Sequence, residues 1–154
     1  MRLVVAVVGK ARNPALGEAI RDFEKRAARY WPLDVHEVKE ERAGGIPIDK
    51  VKEREGERLK ERVPAQAQMI ACDAKGKSLT SEEFAGLLQS AREQDRDLAF
   101  LIGGAFGLAP NVGAASKMKL SLAPWTLPHE IARLVLVEQI YRAGTMVRGE
   151  PYHK

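Results

Sequence analysis

The sequence predicts an α/β domain built on a mostly parallel sheet. Two observations carry this. Arg2 to Val8 is a near-continuous run of β-formers, apolar on both faces, as a central parallel strand covered by two helix layers must be. Short β-forming runs then alternate with helical periodicities to the end of the chain, the order that produces a parallel sheet flanked by helices. The chain has 154 residues, the size of one domain, 1–154, with no repeat and no low-complexity linker.

Each element has a local reason. Gly9 ends the first strand, and Asn13-Pro14 opens a helix with a capping side chain and a proline in its first turn. Leu16, Ile20, Phe23 and Ala27 recur at helical spacing, and Pro32 stops the segment. Its other face carries Arg12, Arg21, Lys25, Arg26 and Arg29, a solvated face that could also meet RNA. Leu33 to Val38 alternates apolar and polar residues, as a sheet-edge strand does. Lys39 to Gly45 reads as a charged loop, and Asp49 to Val63 as a polar helix ended by Pro64. Gln68 to Asp73 is the third strand, with a turn at Ala74-Lys75-Gly76-Lys77. Thr80 and Glu83 form a capping box for a helix that buries Phe84, Leu87 and Leu88. Leu98 to Ile102 is the fourth strand, Pro110 to Ser116 a short helix, Met118 to Leu122 a fifth strand, and Pro128 to Met146 the last helix.

Charge and composition narrow the function less than the pattern does. A net charge of +4 permits a nucleic-acid partner without demanding one. The most apolar late stretch, Ile131 to Val147, is interrupted by Arg133, Glu138 and Arg142, so no membrane span is expected. The apolar start turns into Gly9-Lys10-Ala11-Arg12 without a small-residue cleavage site and reads as a strand rather than a leader. Cys72 is the single cysteine, so a reducing cytoplasm is the default and no metal site is expected; His36 and His129 lack the spacing zinc prefers.

Three stretches in the last third invite chemistry. Gly103-Gly104 follows a buried strand, with Gly107 three residues on; ligands of open α/β sheets bind at such strand ends, yet the spacing fits neither GxGxxG nor a phosphate loop, and a tight turn explains it as well. Leu120 to Pro128 is almost wholly apolar and holds Pro124 and Pro128. Such a rigid loop suits a flat ring read by main-chain hydrogen bonds, or else packs into the core with Trp125 as filler. The last helix shows a wide apolar surface (Ile131, Leu134, Val135, Val137, Ile140, Tyr141), more than one sheet face needs, which predicts a second subunit. Its Arg133, Glu138, Gln139 and Arg142 are either structural pairs or phosphate ligands, and the tail Pro151-Tyr152-His153-Lys154 is by itself an ordinary chain end.

Taken together these stretches resemble the RlmH (YbeA) family of small stand-alone SPOUT methyltransferases with an α/β knot. The residues that carry the resemblance are Leu3-Val4-Val5-Ala6-Val7-Val8-Gly9-Lys10, Phe100 to Gly104 with Gly107-Leu108, and Leu120-Ser121-Leu122. They continue in Thr126-Leu127-Pro128-His129, Arg133 to Ala143 and the Pro-Tyr-His-Lys end. The resemblance implies a C-terminal trefoil knot, an exception to unknotted chains. It implies transfer of a methyl group from S-adenosylmethionine to N3 of a pseudouridine in large-subunit ribosomal RNA on assembled ribosomes, by a homodimer. Matched residue by residue, Cys72, Gly103, Gly104, Leu122, Ala123, Pro124, Trp125, Thr126 and Leu127 would form the cofactor wall, and Tyr152 and His153 would lie near the methyl group. Departures from the family's pattern fall at Cys72, Ala105-Phe106, Pro124-Trp125 and Gly149-Glu150.

An imide N–H is weakly acidic, so the transfer needs alignment plus help in removing that proton. His153, or the positive field of Arg133, Arg142 and Lys154, is expected to supply it, with Tyr152 positioning the base. A ribosome-binding module that kept the fold but lost the cofactor is the alternative of a different class. A SPOUT enzyme acting on transfer RNA is a third, for which this chain has no room for an added RNA-binding domain.

Overall fold

The computed structural model describes residues 1–153. Five strands form one sheet: β1 (Leu3–Val8), β2 (Leu33–Val38), β3 (Gln68–Ser78), β4 (Leu98–Ile102) and β5 (Met118–Ser121). Their order is β2-β1-β4-β3-β5 and all pairings are parallel. The helices are α1 (Pro14–Ala27), α2 (Ile48–Lys60), α3 (Ser81–Glu93), α4 (Pro110–Ala115) and α5 (His129–Val147), and a 3-10 turn, Pro151–His153, follows.

Period-two alternation assigns the two faces. Leu3, Val5, Val7, Ile70, Leu98, Phe100 and Ile102 point to one side, where they pack with Ala27 and Trp31, with Phe84 and Leu88 of α3, and with Leu136 and Ile140 of α5. Ala6, Val8 and Leu101 point to the other, against Leu59 of α2 and Ala109 and Val112 at α4. A helix layer on each face is why β1 and β4 are buried throughout, as their unbroken apolar runs require. β2, half-buried and alternating, lies at an edge.

Local signals act as expected at several ends. Asn13 accepts from Ala15 and Leu16 at 3.0 and 3.1 Å and caps α1. Thr80 and Glu83 close a reciprocal capping box on α3. α1 ends at Ala27, short of Pro32, because Trp31 swings under α5, its indole N–H donating to the Ile140 carbonyl at 2.9 Å.

β3 departs from the expected strand-then-turn. It runs to Ser78, but both Cys72 and Lys77 face Leu120, so the residues between loop out of the ladder and the strand resumes. Asp73 holds this excursion by accepting from Lys75 N at 2.9 Å. Gly76 is required there, since a Cβ would stand 2.5 Å from the Lys119 backbone.

The apolar width of α5 is largely used within the chain. Val137 and Ile140 are fully buried, and the helix is wedged between α1 and α3. Ile131, Leu134, Val135 and Tyr141 stay half-buried. Part of the face read from sequence as a subunit contact is therefore core.

Candidate active site

Strand order, invisible in the sequence, brings the predicted wall together. β3 lies between β4 and β5, so Gly103-Gly104 after β4, Cys72 within β3 and the 122–127 loop after β5 stand side by side at the carboxyl edge of the sheet. That edge is where parallel sheets receive ligands. Leu122 and Leu127 pack onto the core, whereas Pro124 and Thr126 are exposed and Trp125 is 77% exposed. Trp125 is thus not core filler. Among the described residues, the main chain of 122–127 makes one hydrogen bond within the protein: Ala123 O accepts from Ser121 Oγ at 2.8 Å. Peptide groups left unpaired within the protein, beside an apolar floor, are available to a ligand.

Cys72 is half-exposed as a residue, but its sulfur is surrounded by the core. Burial pushes the thiol up to about 12, so it stays protonated and serves as an apolar wall rather than a nucleophile.

The two glycines are explained first by the protein itself. A Cβ on Gly103 would lie 2.6 Å from the Gly107 backbone, where the loop folds back; Gly107 N donates to Gly104 O at 3.0 Å. A Cβ on Gly104 would lie 3.0 Å from both Glu55 Oε1 and Val8 Cγ1. Gly103 is a tight-turn glycine, and Gly104 faces a carboxylate, so neither lacks its side chain only for a cofactor.

The tail lies on α5. Tyr152 donates to Glu138 Oε1 at 3.0 Å, stacks edge-on against Tyr141 with centroids 4.6 Å apart, and sits under the Arg142 guanidinium at 4.9 Å. Burial, then the Glu138 hydrogen bond, raises the Tyr152 phenol above its ordinary value, so it is a neutral donor at physiological pH. Arg142 is tied to Glu138 at 2.7 Å, its pKa raised chiefly by that bond, and part of its charge is spent there. His153 is exposed in the 3-10 turn. Among the described residues no hydrogen bond joins this tail to the 122–127 loop.

Arg133 is a correction. It is 6% exposed and chelated by Glu24 at 2.7 Å and Glu37 at 2.6 Å, fastening α5 to α1 and β2. Its charge is compensated and it supplies no field to a substrate. Lys154, the other cation expected to help, lies outside the described residues.

The whole arrangement matches one known family. The description "Predicted SPOUT methyltransferase" fits residues 1–153. The chain belongs to the SPOUT methyltransferase family. Within this group it is similar end to end to proteins named ribosomal RNA large subunit methyltransferase H. The one from Gemmatimonas aurantiaca is 56% identical over 154 residues, covering 100% of both chains. That of Syntrophotalea carbinolica is 42% identical with 99% of each covered, and that of Halothermothrix orenii 41% identical with 100% of each covered. A SPOUT methyltransferase implies S-adenosylmethionine as donor, and the free peptide groups of 122–127 over Leu122, Leu127 and Cys72 fit an adenosyl group. Among the described residues no group of three or more His, Cys, Asp or Glu could hold a metal, and no helix is long and apolar enough to cross a membrane.

Sequence reasoning undervalued two carboxylates. Glu138 was visible as an i,i+4 partner of Arg142, but its grip on Tyr152 depends on the tail folding back. Glu55 lies in a polar helix that looked solvated, and only packing against Gly104 and Val8 shows that it is buried.

Proposed function

We propose that this chain is an S-adenosylmethionine-dependent methyltransferase of large-subunit ribosomal RNA, acting at N3 of a pseudouridine on the assembled ribosome. The observation that carries the reading is end-to-end similarity to ribosomal RNA large subunit methyltransferase H proteins, together with an apolar loop whose peptide groups are unpaired. Bound at the carboxyl ends of β4, β3 and β5, the donor supplies a methyl group on a sulfonium. Leu122, Ala123, Pro124, Trp125, Thr126 and Leu127 would hold it through the main chain, with Cys72, Gly103 and Gly104 as the remaining wall. The reading includes one domain with a trefoil knot, a homodimer and a cytoplasmic location.

The chain's own residues then divide the work. Tyr152, a phenol anchored by Glu138, orients the acceptor base by donation and packing. With Arg133 compensated and Arg142 held by Glu138, His153 is, among the described residues of the tail and α5 named above, the base assigned to the imide proton. Single-turnover methylation of ribosomes, read by mass mapping of the RNA, tests this. His153→Ala should slow the step about ten-fold or more, the usual scale for acid–base help. An unchanged rate removes His153 from proton transfer. Calorimetry showing no S-adenosylmethionine binding at millimolar concentration overturns the enzyme reading in favour of a binding module, and light scattering of a micromolar monomer overturns the dimer.

A further inference from the structure

The other half of the same sheet edge holds a cavity of about 1010 Å³ at the ends of β1, β2 and β4, next to the cofactor wall at Gly104. Its lining includes Gly9 to Arg12, Glu37 to Ala43, Glu55 and Ala105-Phe106. Three kinds of group meet there. Glu55 is 4% exposed; its Oε2 accepts from Glu41 N at 3.1 Å, but Oε1 is buried without a partner. A buried acceptor with no donor is uncommon and calls for one. Gly104 lies against Oε1, and a Cβ there would stand 3.0 Å from it. Phe106 is 42% exposed and lines the cavity.

The charges at the mouth are unequal. Glu37 is held by Arg133, Glu40 by Arg12 at 3.4 Å, and Glu41 by Arg58 and Arg54. Lys10, Lys39 and Arg42 are exposed and form no ion pair among the described residues. An inner acceptor, an aromatic face and outer cations are what a nucleotide needs: an N–H edge, a π-face and a phosphate.

We propose that this cavity is a nucleotide subsite. It takes one nucleotide of an RNA strand base-first, a base N–H donating to Glu55 Oε1 and the ring lying on Phe106, with the phosphate held by Lys10, Lys39 and Arg42. The source of that strand rests on the proposed RNA methyltransferase activity; the recognition chemistry does not. His129, at the start of α5, approaches the Lys10 carbonyl at 3.5 Å, so the helix that follows the 122–127 loop begins beside the subsite.

Magnetic-resonance titration of the intact protein tests this, with uridine 5′-monophosphate, uridine, N3-methyluridine 5′-monophosphate, inorganic phosphate and a short uridine-containing RNA as probes. Glu55→Gln keeps the shape and removes the charge. It should weaken uridine 5′-monophosphate about ten-fold, the scale of a hydrogen bond to a charged group, while the N3-methylated nucleotide binds both proteins equally weakly. Lys39→Ala should weaken the nucleotide and not the nucleoside, and the RNA should bind more tightly than the mononucleotide with the same Glu55 dependence. Equal affinity of Glu55→Gln and the parent, phosphate binding as well as nucleotide, or RNA binding no tighter than the mononucleotide overturns the proposal. Donor affinity measured in parallel keeps the two readings apart: a Glu55-dependent nucleotide site in a protein that binds no S-adenosylmethionine would sink the enzyme and leave the subsite.

Discussion

Arg133→Met separates a structural arginine from a catalytic one. The Arg133 side chain is 7% exposed, and its guanidinium touches Glu24, 17% exposed, and Glu37, 36% exposed. Removing one side of a buried pair costs about 3–5 kcal/mol, because the remaining charge is stranded. Glu37 can turn to water, so the expected loss is about 2–3 kcal/mol. Methionine refills most of the aliphatic stem and keeps packing losses small. For a chain of this length that loss should lower Tm by roughly 5–10 °C. Circular dichroism gives Tm, and single-turnover methylation well below it gives the rate per folded molecule, which should stay at the parent's value. Adding Glu24→Gln and Glu37→Gln should restore part of the stability, since no orphaned carboxylate remains. An unchanged Tm with a collapsed rate would refute the assignment of Arg133 to the scaffold.

Other outcomes follow from single sites. Desolvation by burial raises the Glu55 carboxyl above its usual 4.5, so the folded chain holds a proton the unfolded one has lost. Stability should therefore fall as pH rises from 4.5 through the native value, and Glu55→Gln should abolish that slope and be the more stable protein at neutral pH, by urea midpoints. Gly144→Ala should destabilise by about 1–3 kcal/mol in thermal melts although alanine is the better helix former. Its Cβ would sit 2.4 Å from Tyr30 Cβ, where α5 meets the residues after α1. The Cys72 thiol, pushed up to about 12, should resist iodoacetamide at mildly alkaline pH and react over ten-fold faster once urea exposes it, as mass spectrometry would read.

Much of the fold is local and therefore readable. β1 is apolar at every position and could only be central. Asn13-Pro14 and Thr80 with Glu83 mark helix starts through side-chain caps, interactions that span a few residues, whereas the helix expected to run to Val63 and stop at Pro64 already ends at Lys60. The three stretches proposed as the cofactor wall stand out locally, because glycine and proline punctuation is local too, and it was the family resemblance that joined them into one proposal. The excursion at 73–76 was read only as a turn, since resumption of β3 at Lys77 depends on β5, forty residues later in the chain.

The sequence by itself determined which segments are strand or helix, which faces are apolar, and to which family the chain belongs. Tertiary structure alone decided that Arg133 is a buried strut, that Glu55 is an orphaned acceptor beside Gly104, and that Trp125 is exposed. The reason is physical: a backbone period or a cap is fixed by neighbours along the chain. The burial and pairing of a charge depend on which distant segments the order β2-β1-β4-β3-β5 brings against it.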